Sequence, residues 1–214
     1  IQAERVPAPE PVARAAAQSE LGVSPEKARH HSLSGARTHT CDTRAIAIAS
    51  RGAADPVVVF VEEFTRAVDA IDPVSANYVH RGSTSQDILD TAAMLITYRA
   101  AGLIIDDLGR SIRALTELAQ THRSTPMAGR TLAMHAVPTT FGAKVAVWLQ
   151  GLLDARDRLH DLKSRLPAQL GGAAGTLASY IETSRPAVQS TPGIDVEDIV
   201  YTHLTVSYAR NLGL

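Results

Sequence analysis

Between Pro73 and Pro126 the chain has no proline, and apolar side chains recur there at helical spacings: Ile88, Leu89, Ala92, Leu95, Ile96, Leu103, Leu108, Ile112, Leu115 and Leu118. Spacings of three and four put these residues on one face of an α-helix, so the pattern predicts a single helix running to about Thr121. Its apolar stripe is wide enough to require other helices against it. A second long helix is expected from Thr139 or Thr140, through Trp148, Leu152, Leu159 and Leu162, to about Arg165 before Pro167. Only 4% of residues are aromatic while alanine is abundant, a composition suited to closely packed helices rather than sheets. The fold class predicted is all-α.

Charge and cysteine content narrow the function. The 21 basic and 22 acidic residues nearly cancel, so no global field draws the chain to nucleic acid or an anionic membrane, and any anion recognition must be local. Cys41 is the single cysteine; it has no internal disulfide partner, and no Cys/His spacing suggests a metal site. No metal or cofactor is expected. No apolar run is read as approaching the roughly 20 residues of a membrane span, and the first residues lack the apolar core of a signal peptide. A soluble, cytoplasmic protein is the expectation.

The first fifty residues are the least interpretable, with Pro7, Pro9 and Pro11 followed by an alanine-rich stretch from Val12 to Leu21 and a polar run from His30 to Thr43. From Pro56 the spacing of Val58, Val61, Phe64, Val68 and Ile71 predicts a helix closed by Pro73. Residues 183–196 are expected to be a surface loop and 197–211 a last helix. The resulting division is an N-terminal helical domain over 1–84 and a partial central helix bundle over 85–214.

Three polar segments interrupt these helices. In His80-Arg-Gly-Ser-Thr-Ser85, Thr84 and Ser85 stand at a helix start with Asp87 and Asp90 in or near its first turn. Hydroxyls beside free backbone amides suit a carboxylate, and they suit simple helix capping equally well. The second segment, 129–142, is read as an irregular connection carrying Arg130 and His135. Arginine can hold a carboxylate through two hydrogen bonds, and histidine exchanges a proton near neutral pH; a surface ion pair and an interior histidine are the plainer alternatives. The third, Gln169-Leu-Gly-Gly-Ala-Ala-Gly-Thr176, is a possible backbone nest for an anion or a simple helix terminator.

In this order the segments resemble the signature regions of the fumarase/aspartase superfamily. Residues 80–91 resemble H-x-G-x-T-S-x-D-x-x-D-T, 129–142 resemble G-R-T-x-x-x-x-A-x-P-x-T-F-G, and 169–176 resemble Q-x-G-G-A-x-G-T. Within the superfamily, 171–177 and 135–144 look most like the 3-carboxy-cis,cis-muconate cycloisomerases. Adenylosuccinate lyases usually carry histidine and glutamine where this chain has Leu132 and Met134, and a histidine where Asp55 stands.

The resemblance implies cofactor-free addition of a carboxylate oxygen across a conjugated double bond, closing 3-carboxy-cis,cis-muconate to a γ-lactone. The alternatives are an adenylosuccinate lyase-like activity and a non-catalytic helical scaffold. It implies His80 and His135 as catalytic candidates, and Thr84, Ser85, Gln86, Arg130, Thr131, Gln169 and Thr176 as contacts to a small polycarboxylate. It also implies a homotetramer with active sites shared between subunits. The family's serine-bearing S-S-x-M-P-x-K-x-N-P loop is absent from the 214 residues, so a partial chain is expected.

Overall fold

The computed structural model describes residues 9–20 and 22–181; the expected loop over 183–196 and helix over 197–211 lie outside the described residues. The elements are helices α1 (Pro9–Glu20), α2 (Glu26–Thr38), α3 (Thr43–Ala53), α4 (Pro56–Asp69), α5 (Pro73–Ala76) and α6 (Ser85–Thr121), strands β1 (Pro126–Thr131) and β2 (Met134–Thr140), and helix α7 (Phe141–Ser164). The all-α class is what the chain adopts, apart from one β-hairpin. The polar run after His30, left uninterpreted from sequence, is helical in α2 as far as Thr38.

Local chemistry sets the helix starts. Asp42, Asp55 and Asp72 cap α3, α4 and α5, each carboxylate accepting backbone N–H bonds from the first turn. Pro56 and Pro73 follow two of these caps, where a missing N–H costs nothing. Thr140 caps α7 through Ala143 N. Asp55 thus has a structural task, capping α4 through the Val57 N–H at 2.8 Å.

The chain divides into two compact units, one comprising Ile1–Met94 with Pro167–Leu214, the other Leu95–Leu166. In the first, Phe64 (1% exposed), Val68 and Ala76 form a core flanked by Ala36, Phe60 and Val79. Phe60 and Phe64 stack with ring centroids 6.0 Å apart. A separate cluster joins Ala13 and Ala17 of α1 to Leu170, Leu177 and Tyr180. The alanine-rich stretch is therefore a core face: small side chains let α1 approach the glycine-rich loop closely. Cys41 is buried, and burial together with neighbouring Glu63 pushes its thiol pKa up, leaving it a poor nucleophile.

In the second unit α6 and α7 run antiparallel. The His122 and Phe141 rings meet edge-on at 5.3 Å at one end, and the Lys163 ammonium lies 4.2 Å from the Tyr98 ring centroid at the other. The hairpin joins them. Residues 129–142, expected to be irregular, are instead regular over 129–140, in an antiparallel pair whose register places Arg130 opposite His135 and Thr131 opposite Met134, and enter α7 at Phe141. The register shifts between Ala128 and Arg130: Ala136 and Val137 together face the single Gly129, so the bulge lies on β2. A Cβ on Gly129 would lie 2.6 Å from the Val137 carbonyl oxygen, so glycine allows the close strand approach.

The predicted stripe on α6 is only partly covered. Ile88, Leu95 and Ala101 are buried, whereas Ile96 and Leu103 are 66% and 70% exposed. On α7, Val147, Trp148 and Leu162 are likewise exposed. Contrary to the expectation from the sequence, α6 is long and apolar enough to cross a membrane by length and composition, with mean hydropathy 1.5 over its best window. A central helix of a helix bundle passes the same test, since it must be apolar over most of its circumference.

Candidate functional site

The site in the first unit is built around the start of α6. Asp87 is completely buried. Its carboxylate accepts the Thr84 backbone N–H at 3.0 Å, closing the helix start in the manner of a capping box. It also accepts the Gly171 N–H at 2.8 Å and the Gly172 N–H at 3.0 Å. One turn further along, the Thr91 hydroxyl accepts the Gln169 N–H at 2.9 Å and donates to the Gln169 carbonyl at 3.1 Å. Residues at i and i+4 share a helix face, so Asp87 and Thr91 together clamp the glycine-rich loop to α6. In that loop, which the sequence left open between an anion nest and a helix terminator, the Gly171 and Gly172 amides serve an internal carboxylate rather than a ligand.

The turn before α6 is held as firmly. His80 and Gly82 both have left-handed backbones, with φ +59° and +79°. A Cβ on Gly82 would lie 3.1 Å from the Tyr180 ring, and the Ser83 and Tyr180 hydroxyls are 2.8 Å apart. A non-glycine residue held at positive φ is strained, and such strain marks functional positions more often than chance. Segments 80–84 and 169–172 are therefore brought together by Asp87 and Tyr180. The first-turn amides of Ser85 and Gln86 belong to the set an α-helix leaves without intrahelical acceptors, and the macrodipole adds partial positive charge there. Gln169 and Thr176 are exposed beside this junction. The Gln86 side chain instead donates along the helix to Asp90 at 2.6 Å.

His80 Nδ1 is buried without a partner. Burial and then the Arg14 charge lower its pKa below 6.5, against smaller opposing effects of Asp87 and Asp55. Between the ordinary histidine value and this lowered one, the unfolded chain binds a proton that the folded chain does not. Stability contributed by neutral His80 is therefore present above the unfolded pKa and lost as pH falls through that window. Urea midpoints are expected to drop between pH 7 and pH 5, and to drop less in His80→Gln.

In the second unit Arg130 and His135 are direct cross-strand partners, which sets their side chains on one face of the hairpin at roughly 5 Å between Cβ atoms. Both are exposed, as is Thr131. Arg130 and Lys144 line a cleft of about 410 Å³ with Gly129, Thr139 and Val147. Two cations in one cleft at the start of α7 suit an anion. Lys144 was not singled out from the sequence; its ammonium lies 5.4 Å from the Trp148 ring centroid, in the first turns of a helix, where a cation opposes the macrodipole.

Other polar groupings have structural roles. Ser75 donates its hydroxyl to Asp72 at 2.6 Å and is fully buried, while His31 Nδ1 lies 2.9 Å from Ser75 Oγ. With its proton committed to Asp72, Ser75 is part of a helix cap and not an activated nucleophile; this bond is the main reason the Asp72 pKa is lowered. No His, Cys, Asp or Glu cluster able to hold a metal occurs among the described residues.

A family model described as lyase matches residues 1–192. The chain is 52% identical over 198 residues to nitrosuccinate lyase of Streptomyces davaonensis, covering 92% of this chain and 40% of that protein. It is 39% identical over 175 residues to 3-carboxy-cis,cis-muconate cycloisomerase of Pseudomonas aeruginosa, covering 81% of this chain and 38% of that one. The crystal structure of β-carboxy-cis,cis-muconate cycloisomerase from Acinetobacter calcoaceticus superposes with a TM-score of 0.82 at 33% identity, over 99% of this chain and 47% of that one. The chain spans about 40% of the length of these curated relatives. Matched over most of its length by the lyase family model, by curated relatives and by a solved fold, the chain belongs to the lyase family of the fumarase/aspartase superfamily.

Proposed function

We propose that the chain carries the carboxylate-binding machinery of an enzyme that eliminates a nitro group from a nitrosuccinate-like dicarboxylate. The observation that carries this reading is the junction at the start of α6, where Asp87 and Thr91 fix the glycine-rich loop beside the His80–Ser85 turn. Identity of 52% to a nitrosuccinate lyase supports the choice of substrate. In the elimination a proton leaves the carbon beside one carboxylate, the carbon–nitrogen bond on the neighbouring carbon breaks, nitrite departs with the bonding pair and fumarate remains. Negative charge builds on the carboxylate next to the deprotonated carbon. Preorganised amides, hydroxyls and cations stabilise such charge: in this reading the Ser85 and Gln86 amides with Thr84 and Ser85 hydroxyls hold one carboxylate, and the separate Arg130 and Lys144 cleft holds a carboxylate at a site shared with another subunit. His80 and His135 are the candidates to move the proton, with Thr131, Gln169 and Thr176 contacting substrate.

Lactonisation of 3-carboxy-cis,cis-muconate is the second reading, favoured by the close superposition on a cycloisomerase. It makes the same demand, since addition of a carboxylate oxygen also builds enolate-like charge. In either case the exposed apolar residues of α6 and α7 support a homotetrameric, soluble enzyme in which other helices cover them and active sites are shared. The purified chain, supplied separately with 2-nitrosuccinate and 3-carboxy-cis,cis-muconate, decides between them by nitrite release or loss of diene absorbance. Nitrite release with muconate inert supports the elimination, and the reverse supports lactonisation. Silence with both contradicts both and leaves a non-catalytic scaffold. Arg130→Ala is expected to lower kcat/KM on the true substrate by about 10²–10³-fold, the usual loss when one charge-stabilising donor is removed.

A further inference from the structure

The turn that bears His80 is held from behind by a part of the chain with no assigned role. Arg14 and Gln18 lie one helical turn apart on α1 and are each 1% exposed. Both donate to the same acceptor, the Arg81 carbonyl: Arg14 Nη1 at 3.4 Å and Gln18 Nε2 at 3.1 Å. That carbonyl sits between the two left-handed residues His80 and Gly82, so anchoring it fixes the orientation of the peptide on which the strained turn pivots. Burying a guanidinium and an amide on an otherwise alanine face is costly unless the hydrogen bonds they make are needed. The apolar cluster of Ala13, Ala17, Leu170, Leu177 and Tyr180 already supplies the packing at this contact. Gln18 Oε1 and His80 Nδ1 remain buried without partners, so the enclave is polar beyond what its internal bonds require.

We propose that Arg14 and Gln18 are positioning residues for the proposed anion site: through the Arg81 carbonyl they hold the His80–Ser83 turn in the conformation, left-handed at His80 and Gly82, that shapes the junction at the start of α6. The role rests on the carboxylate-binding reading above. Arg14 also acts on His80 electrostatically, alongside Asp87 from α6 and Asp55 at the start of α4.

Hydrogen exchange and fumarate binding test this on the full chain carrying Arg14→Met, Gln18→Met or Arg14→Lys. The Ser83 amide donates to the His80 carbonyl at 3.3 Å and reports the turn directly. In both methionine variants Ser83 exchange is expected to rise about tenfold and the fumarate Kd to weaken about tenfold, the effect of losing one hydrogen bond of ordinary strength. Amides around Phe64 and Val68 should keep their protection. Arg14→Lys should recover part of the affinity, and the His80 ring should titrate at higher pH in Arg14→Met. If Arg14→Met fails to fold, Gln18→Met, which keeps the length of the side chain, carries the test. Unchanged Ser83 exchange in a folded Gln18→Met chain would overturn the proposal. Faster Ser83 exchange with no fumarate binding by the unaltered chain would uphold the mechanical link and remove the carboxylate reading instead.

Discussion

Asp87→Ala is expected to destabilise the first unit by about 3–5 kcal/mol, because three backbone N–H groups lose the one acceptor they share. The Gly171, Gly172 and Thr84 amides meet the carboxylate at 2.8–3.0 Å in a site closed to solvent. A smaller side chain leaves them buried and unpaired, and opens the junction between the turn and the glycine-rich loop. Asp87→Asn keeps one acceptor oxygen but turns an amide N–H toward a backbone donor, so it should lose stability in the same direction by a smaller amount. Urea denaturation checks both. A loss below about 1 kcal/mol for Asp87→Ala would show that the three bonds are not holding the loop.

Phe64→Ala is expected to cost a similar amount, about 3–5 kcal/mol, for a different reason. Phe64 is 1% exposed and packs with Val68 and Ala76, while Val79, the residue before His80, flanks the same cluster. Removing the ring leaves a cavity in the only described core that reaches from α4 to the base of the His80 turn. The slope of the denaturation curve should be unchanged if the unit still unfolds as one. Phe64→Leu, which fills most of the volume, should lose much less.

The helices were legible because their signals are local. Pro56 marks the start of α4, Thr140 that of α7, and the three-and-four spacing from Ile88 to Leu118 the length of α6. The hairpin was not legible. Its strands hold Pro126, Gly129 and Pro138, which argue against strand, and their pairing depends on a bulge and on two long helices bringing the ends together. The extent of the apolar stripe on α6 was readable, but not which residues would be covered, because burial depends on helices that pack across it.

The candidate site was half legible for the same reason. Thr84 and Ser85 at a helix start, Arg130 with His135, and the glycines after Gln169 are local patterns, and each was visible. What joins the first and third, the Asp87 and Thr91 bonds across more than seventy residues of chain, has no local signature. Nor did Arg14 and Gln18 stand out: in an alanine-rich run a polar pair at i and i+4 reads as the solvated face, and only their burial on α1 shows that it is the inner one.

The claim on which the rest depends is that the His80–Asp87 turn and the Gln169–Thr176 loop act as one carboxylate-binding unit. Titrating fumarate into isotope-labelled chain and following backbone amides tests it most directly, with an equal series of chloride as control. The predicted result is saturable shifts in both segments with one common Kd, lost in Asp87→Ala. Shifts no larger than those with chloride, or shifts in one segment alone, would contradict it.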